Sequence, residues 1–170
     1  DRFSVRLYHK SRGKDSALRV DVDLVAYHGE RQISLPERAT LKTGDHFAFY
    51  IKSNANAHLY LVLFNSQRKA KILYPGVRGN SDNQIRSERS IRIPEDPGKI
   101  FFLTPPAGVE TIFLLASRKP IPEVEKVVRE AARQAGVTTD FNSSGEGLYS
   151  VFQKKSNSVA WKNDKAYARS

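Results

Sequence analysis

The stretch His58-Leu59-Tyr60-Leu61-Val62-Leu63-Phe64 is apolar on both faces of an extended chain, and it decides the fold. Successive side chains of a strand point to opposite sides, so a strand apolar at every step needs cover on both. It therefore belongs at the centre of a sheet. Val109 to Ala116 (VETIFLLA) has the same character and is its natural neighbour.

Outward from this pair, the sequence alternates. Phe47, Phe49 and Ile51 share one face, with Ala48, Tyr50 and Lys52 opposite. Leu18, Val20, Val22, Leu24 and Ala26 point one way, while Arg19, Asp21 and Asp23 point the other. Phe3, Val5 and Leu7 do the same. Each pattern predicts a half-buried strand. Short strands are also expected at Lys71–Tyr74, Ile91–Ile93, Ile100–Leu103 and Leu148–Gln153. Pro75-Gly76, Pro94 and Pro105-Pro106 stop three of them. His28 to Asp45 reads as a polar connection ending in the Gly44-Asp45 turn, and residues 76–90 as a long exposed loop.

One helix is expected, over 122–135. Ile121, Val124, Val128, Ala131 and Ala135 recur at steps of three and four. Pro122 suits a first helical position and Gly136 a C-terminal cap. Glu123 and Glu125 lie at the positive end of the helix dipole, Arg129 and Arg133 towards the negative end. Strands follow one another before any helix, so the alternation of a parallel α/β fold is absent. The expected fold is mainly β: an antiparallel, immunoglobulin-like β-sandwich with one α-helix, in the C-terminal half, packed against it. The expected organisation is a single domain over 1–153 and a partly ordered polar tail over 154–170.

The chain has 170 residues, enough for one domain with a core. It opens at Asp1 with no initiator Met, which suggests processing or truncation, and no leading segment reads as a signal peptide. No apolar run is long enough to form a transmembrane segment. Absence of cysteine excludes disulfides, thiol nucleophiles and Cys-based zinc sites. The net charge of +10 favours anionic partners.

Candidate chemistry is sparse. No Gly-x-Ser-x-Gly elbow is present. Ser143-Ser144-Gly145-Glu146-Gly147 lacks the lysine of a nucleotide-binding loop. Among the four histidines, His9, His28, His46 and His58, no pair has metal-ligand spacing. His46 and His58 each begin a strand and could meet at one end of a sheet. Asp21 and Asp23 share a strand face, where pairing with cross-strand Lys or Arg is the expected role. No catalytic residue, metal or cofactor is therefore expected. The basic residues Arg68 and Lys69, at a hairpin, and Arg78, Arg86, Arg89 and Arg92, in and after the long loop, are the candidate binding residues. They are expected to form one patch for an anionic partner.

Several landmarks stand in a recognisable order: Leu41-Lys42-Thr43-Gly44-Asp45, Leu59-Tyr60-Leu61, Leu73-Tyr74-Pro75, Ile93-Pro94, Pro106-Ala107-Gly108-Val109-Glu110 and Ala116-Ser117-Arg118-Lys119-Pro120. Over about residues 40–122 the sequence resembles a bacterial family known as domain of unknown function 4384. It departs from that pattern in a hairpin loop without glycine, Asn65 to Lys69, and in Gly76 after Pro75. The resemblance implies an accessory module of a bacterial envelope or secreted protein, periplasmic or on the cell surface, and supplies no catalytic residues. Together these readings predict a non-enzymatic binding or assembly module that engages a protein partner or an anionic envelope polymer through basic loops. A nucleic-acid-binding domain, resting on charge, is the alternative. A small hydrolase using a strand-end histidine with carboxylates is the third possibility.

Overall fold

The computed structural model describes residues 2–9, 18–35, 41–65, 69–76, 82–103, 108–134 and 149–150. Among these residues the elements follow in order: β1 (Arg2–His9), β2 (Val20–His28), β3 (Arg31–Leu35), β4 (His46–Ser53), β5 (Ala57–Phe64), β6 (Ala70–Tyr74), β7 (Gln84–Ile85), β8 (Ile91–Ile93), β9 (Phe101–Phe102), β10 (Val109–Ser117) and α1 (Pro122–Gln134). They form two sheets. One has the order β1-β10-β5-β6, with β7 also on β5; the other has the order β3-β2-β4-β8, with β9 also on β4.

The sheets face one another across a shared core. Leu59, Leu61, Leu63, Ile112, Leu114 and Ala116 of the first sheet meet Leu24, Ala26, Phe47, Phe49, Ile51 and Ile93 of the second. The predicted β-sandwich is therefore the observed architecture. The predicted neighbours β5 and β10 pair antiparallel, with Leu61 opposite Leu114, both fully buried. The other face of β5 and β10 carries Tyr60, Val62, Phe64, Phe113 and Leu115, and α1 covers it through Val124 and Val128. Three layers thus explain why HLYLVLF is apolar on both sides. Tyr149 packs edge-on against Phe64 and Phe113, with ring centroids 5.1 and 5.7 Å apart.

Four features differ from the sequence reading. The polar stretch after His28 contains β3, an edge strand whose side chains are mostly exposed and so carry no apolar rhythm. Its signal is Gly29, at φ +63° in the two-residue turn between the paired residues His28 and Arg31. The first strand, β1, pairs parallel with β10, whereas the other strand pairs are antiparallel. Tyr149 and Ser150 are helical, not part of a last strand; the rest of that expected strand and the tail lie outside the described residues. Residues 82–90 form no loose loop: Asn83 and Ile85 are 5% and 2% exposed, and Gln84–Ile85 pair with β5.

A register shift between Leu61 and Val62 leaves Leu73 as an extra residue in β6, a β-bulge. Leu73 and Tyr74 consequently both face the sandwich core, and Tyr74 also lines the cleft described below.

Among the described residues Glu110 is a buried acid, 9% exposed, with Oε2 lacking a hydrogen-bond partner. Burial raises its pKa, and the Lys71 charge only partly opposes this. A carboxyl whose folded pKa lies above its unfolded one stabilises the fold below the unfolded pKa, and that contribution is lost as pH rises through the folded pKa. Glu110→Gln should therefore flatten the pH dependence of stability in the weakly acidic range and raise stability at neutral pH. Thermal melts across that range check this; an unchanged pH profile counts against it.

Candidate functional site

The site is built on a turn that sequence reading leaves unstructured. Leu59 N donates to Asn83 O at 2.9 Å, which aligns Gln84 and Ile85 beside the start of β5. Ser87 N donates to Asn56 Oδ1 at 2.8 Å, and Ser87 Oγ to Asn54 O at 2.9 Å. Glu88, at φ +61°, donates its N–H to Ser53 O at 2.7 Å and pairs with Lys52 Nζ at 2.7 Å. Arg89 N closes the turn on Arg86 O at 3.3 Å. The end of β4, the β4–β5 connection and the start of β5 thus anchor residues 83–88 through five contacts, and the Arg86 side chain and the following Arg89 are exposed.

The second wall is a turn held by Arg92. Its Nη1 donates to Pro94 O at 2.6 Å and to Asp96 O at 3.1 Å, and its Nη2 donates to Lys99 O at 2.9 Å. Arg92 stands opposite Tyr50 on β4, and the Tyr50 hydroxyl lies 2.9 Å from that of Tyr27. The Tyr27 hydrogen bond is the main cause holding the Tyr50 pKa above its ordinary value, burial adds to it, and Arg92 acts in the opposite direction. Register places Val25 and Ala48 in the row between these two tyrosines, which accounts for their burial on an outer sheet face.

Between the walls, where the edges of the two sheets meet, lies an open cleft of about 380 Å³. Tyr74, Gln84, Ile85, Arg86, Arg89 and Glu95 are among the residues around it. Burial pushes the Tyr74 pKa up to about 12, with the Glu95 and Asp82 charges adding to the shift. Among the described residues, no hydrogen bond or ion pair engages the side chains of Arg86 or Arg89.

The structure therefore gathers Arg86, Arg89 and Arg92 around one cleft, but with Arg92 fastened to backbone carbonyls. Lys69 lies elsewhere. It immediately precedes β6, at the end opposite Tyr74, and five steps of about 3.3 Å put it roughly 17 Å away. The single patch joining hairpin and loop is accordingly not formed by Lys69 and the cleft arginines. Arg68 and Arg78 lie outside the described residues.

The histidines do not converge. His46 faces outward on the second sheet, edge-on to Phe102 at 6.3 Å. His58 lies on the first sheet, on the same strand face as Tyr60. Its Nδ1 is 2.9 Å from Asn83 Oδ1, so that ring nitrogen is the donor. Asp21 stands opposite Lys52 in register, but the Lys52 ammonium pairs with Glu88, and Asp23 accepts a hydrogen bond from Ser34 Oγ in place of the expected Lys or Arg. Among the described residues no group of three His, Cys, Asp or Glu could hold a metal ion.

A second polar cluster ties the helix to the sheet. The Tyr60 hydroxyl donates to Glu125 Oε1 at 2.7 Å and accepts from Ile121 N at 3.1 Å; Glu125 Oε2 receives Arg129 Nη1 at 3.2 Å. Burial is the main cause raising the Tyr60 pKa to about 12. Apolar periodicity signals Tyr60 only as a core residue, because its hydroxyl partners lie some sixty positions away in sequence. Tyr60→Phe removes both bonds at a buried position and should cost about 1–3 kcal/mol. Amide exchange over 124–134 should accelerate relative to the sheet, and equal protection in the variant would contradict this tie.

The fold and site define a helix-covered β-sandwich with a cationic cleft where its two sheet edges meet. Residues 40–120 match the family model described as "Domain of unknown function (DUF4384)". The matched segment runs from the turn before β4 to the end of β10; the flanking β1, β2 and β3 extend both sheets, and α1 covers one. No curated protein and no solved structure matches the chain. No described helix is long and apolar enough to cross a membrane.

Proposed function

We propose that the chain is a non-catalytic binding module of a bacterial envelope or secreted protein, which engages anionic groups of a partner through the arginine cleft. The observation that carries this reading is the pair Arg86 and Arg89: two exposed guanidinium groups at one cleft with no partner among the described residues. Arginine holds carboxylate or phosphate through a planar fork of two hydrogen bonds. The turn beneath them is fixed by its own bonds to Ser53, Asn54 and Asn56, so little backbone ordering is left for binding. The net charge of +10 would favour encounter with such a partner. The envelope setting rests on the family resemblance.

The test replaces Arg86 and Arg89 with Ser, leaving Arg92 in place. Immobilised native and variant chains are compared in pull-downs from bacterial envelope extract at low and moderate salt. Loss of two charge-assisted contacts should weaken capture by about tenfold or more. The same captured set at both salts, with circular dichroism unchanged, overturns the proposal. Equal capture of mixed-sequence DNA by the native chain, with a steep salt dependence, would move the reading to nucleic acid.

A further inference from the structure

The cleft carries a negative charge as well as positive ones. Glu95 lines it together with Arg86 and Arg89. Among the described residues, no hydrogen bond or ion pair engages the Glu95 carboxylate, although three arginines border the same space. Arg92 could have neutralised it. Instead its guanidinium binds the carbonyls of Pro94 and Asp96, on either side of Glu95, and that of Lys99. Asp96 completes the turn by accepting from Gly98 N at 2.9 Å and Lys99 N at 3.0 Å. The acid and the two free arginines therefore sit on separately fastened segments and do not pair with each other.

We infer that the cleft takes a zwitterionic ligand, a short peptide with both termini free, its carboxylate for Arg86 and Arg89 and its ammonium for Glu95. This rests on the binding role proposed for the same arginines and narrows it from anionic groups in general to a peptide. A simple polyanion would gain from the arginines but meet repulsion from Glu95. A simple cation would meet the reverse. A ligand with both charges matches both walls, and each mismatch rejects a competitor. Tyr74 and Ile85, 4% and 2% exposed, supply an apolar floor between them. A cleft of about 380 Å³ suits a ligand of a few residues at most.

The test is a titration followed by backbone amide resonances, using three probes: trialanine with free termini, N-acetyl-trialanine, and trialanine amide. In the native chain the free peptide should shift residues 84–95 and bind about tenfold more tightly than either blocked form, equivalent to ~1.4 kcal/mol for each lost charge contact. Glu95→Gln should erase the difference between the free and acetylated peptides. The Arg86→Ser, Arg89→Ser double variant should erase the difference between the free and amidated peptides. Equal binding of free and acetylated peptide in the native chain overturns the inference. If inorganic phosphate and the acetylated peptide then bind with the same dependence on Arg86 and Arg89, the anion-binding role stands while the zwitterion is lost. If none of these probes shifts residues 84–95, both fail.

Discussion

Leu61→Ala should destabilise the chain by about 2–5 kcal/mol, a large part of the roughly 5–15 kcal/mol that holds a domain of this kind folded. Leu61 has no exposed surface and pairs on one side with Leu114, equally buried, and on the other with Tyr74. Its side chain points into the space shared by the two sheets, so truncation opens a cavity that neither sheet can close without moving the other. The measurement is a urea melt of the native chain and the variant: the midpoint should fall while the slope stays constant. Ile33→Ala is the control. Ile33 is apolar and in a strand, but 46% exposed on the edge strand β3, and its loss should cost under about 1 kcal/mol. Similar losses at the two positions would contradict the central placement of β5.

What the sequence shows and what it hides follow from burial. The strands β2 and β4 and the helix α1 are legible because each carries a periodic apolar set, and β5 and β10 because a short run apolar on both faces marks a strand covered on both sides; both are local properties. The edge strand β3 is hidden because its exposed side chains impose no pattern. β7 is hidden for another reason: it has only two residues, and its place depends on Asn83 O bonding Leu59 N, a contact across twenty-four positions. The same holds for the cleft. Charge marks Arg78, Arg86, Arg89 and Arg92 as a group; Arg86, Arg89 and Arg92 border one cleft, and Arg78 lies outside the described residues. The different roles of the three at the cleft are set by the folded path of the 94–99 turn, which brings three carbonyls to the Arg92 guanidinium, and composition does not encode that path. Lys69 shows the opposite error. It is near Tyr74 in sequence, but a strand carries it to the far end of the sheet edge. His46 and His58 likewise lie near the starts of strands that the fold assigns to different sheets.

Arg92 separates a supporting arginine from a ligand-binding one, and its removal should be felt chiefly as a loss of stability. Arg92→Ala deletes three charge-assisted bonds, to the carbonyls of Pro94, Asp96 and Lys99, from a half-buried side chain. The carbonyls can regain some hydration, so the expected cost is about 2–3 kcal/mol and not the full sum. Arg92→Lys should recover little of it, because a single ammonium cannot reproduce a planar fork that spans the 94–99 turn. Gly98 and Lys99 amides, now tied within that turn, should exchange faster in both variants. A second signature comes from Tyr50. Arg92 draws the Tyr50 pKa down against the effects of Tyr27 and burial. Without the arginine, phenolate formation at Tyr50 should therefore move to still higher pH, visible in an ultraviolet titration compared with Tyr50→Phe. A variant that keeps native stability and native Tyr50 titration, yet fails to bind, would instead make Arg92 a third ligand-binding arginine. In that case the wall of the cleft would have to hold its shape without it, against the geometry of all three carbonyl bonds.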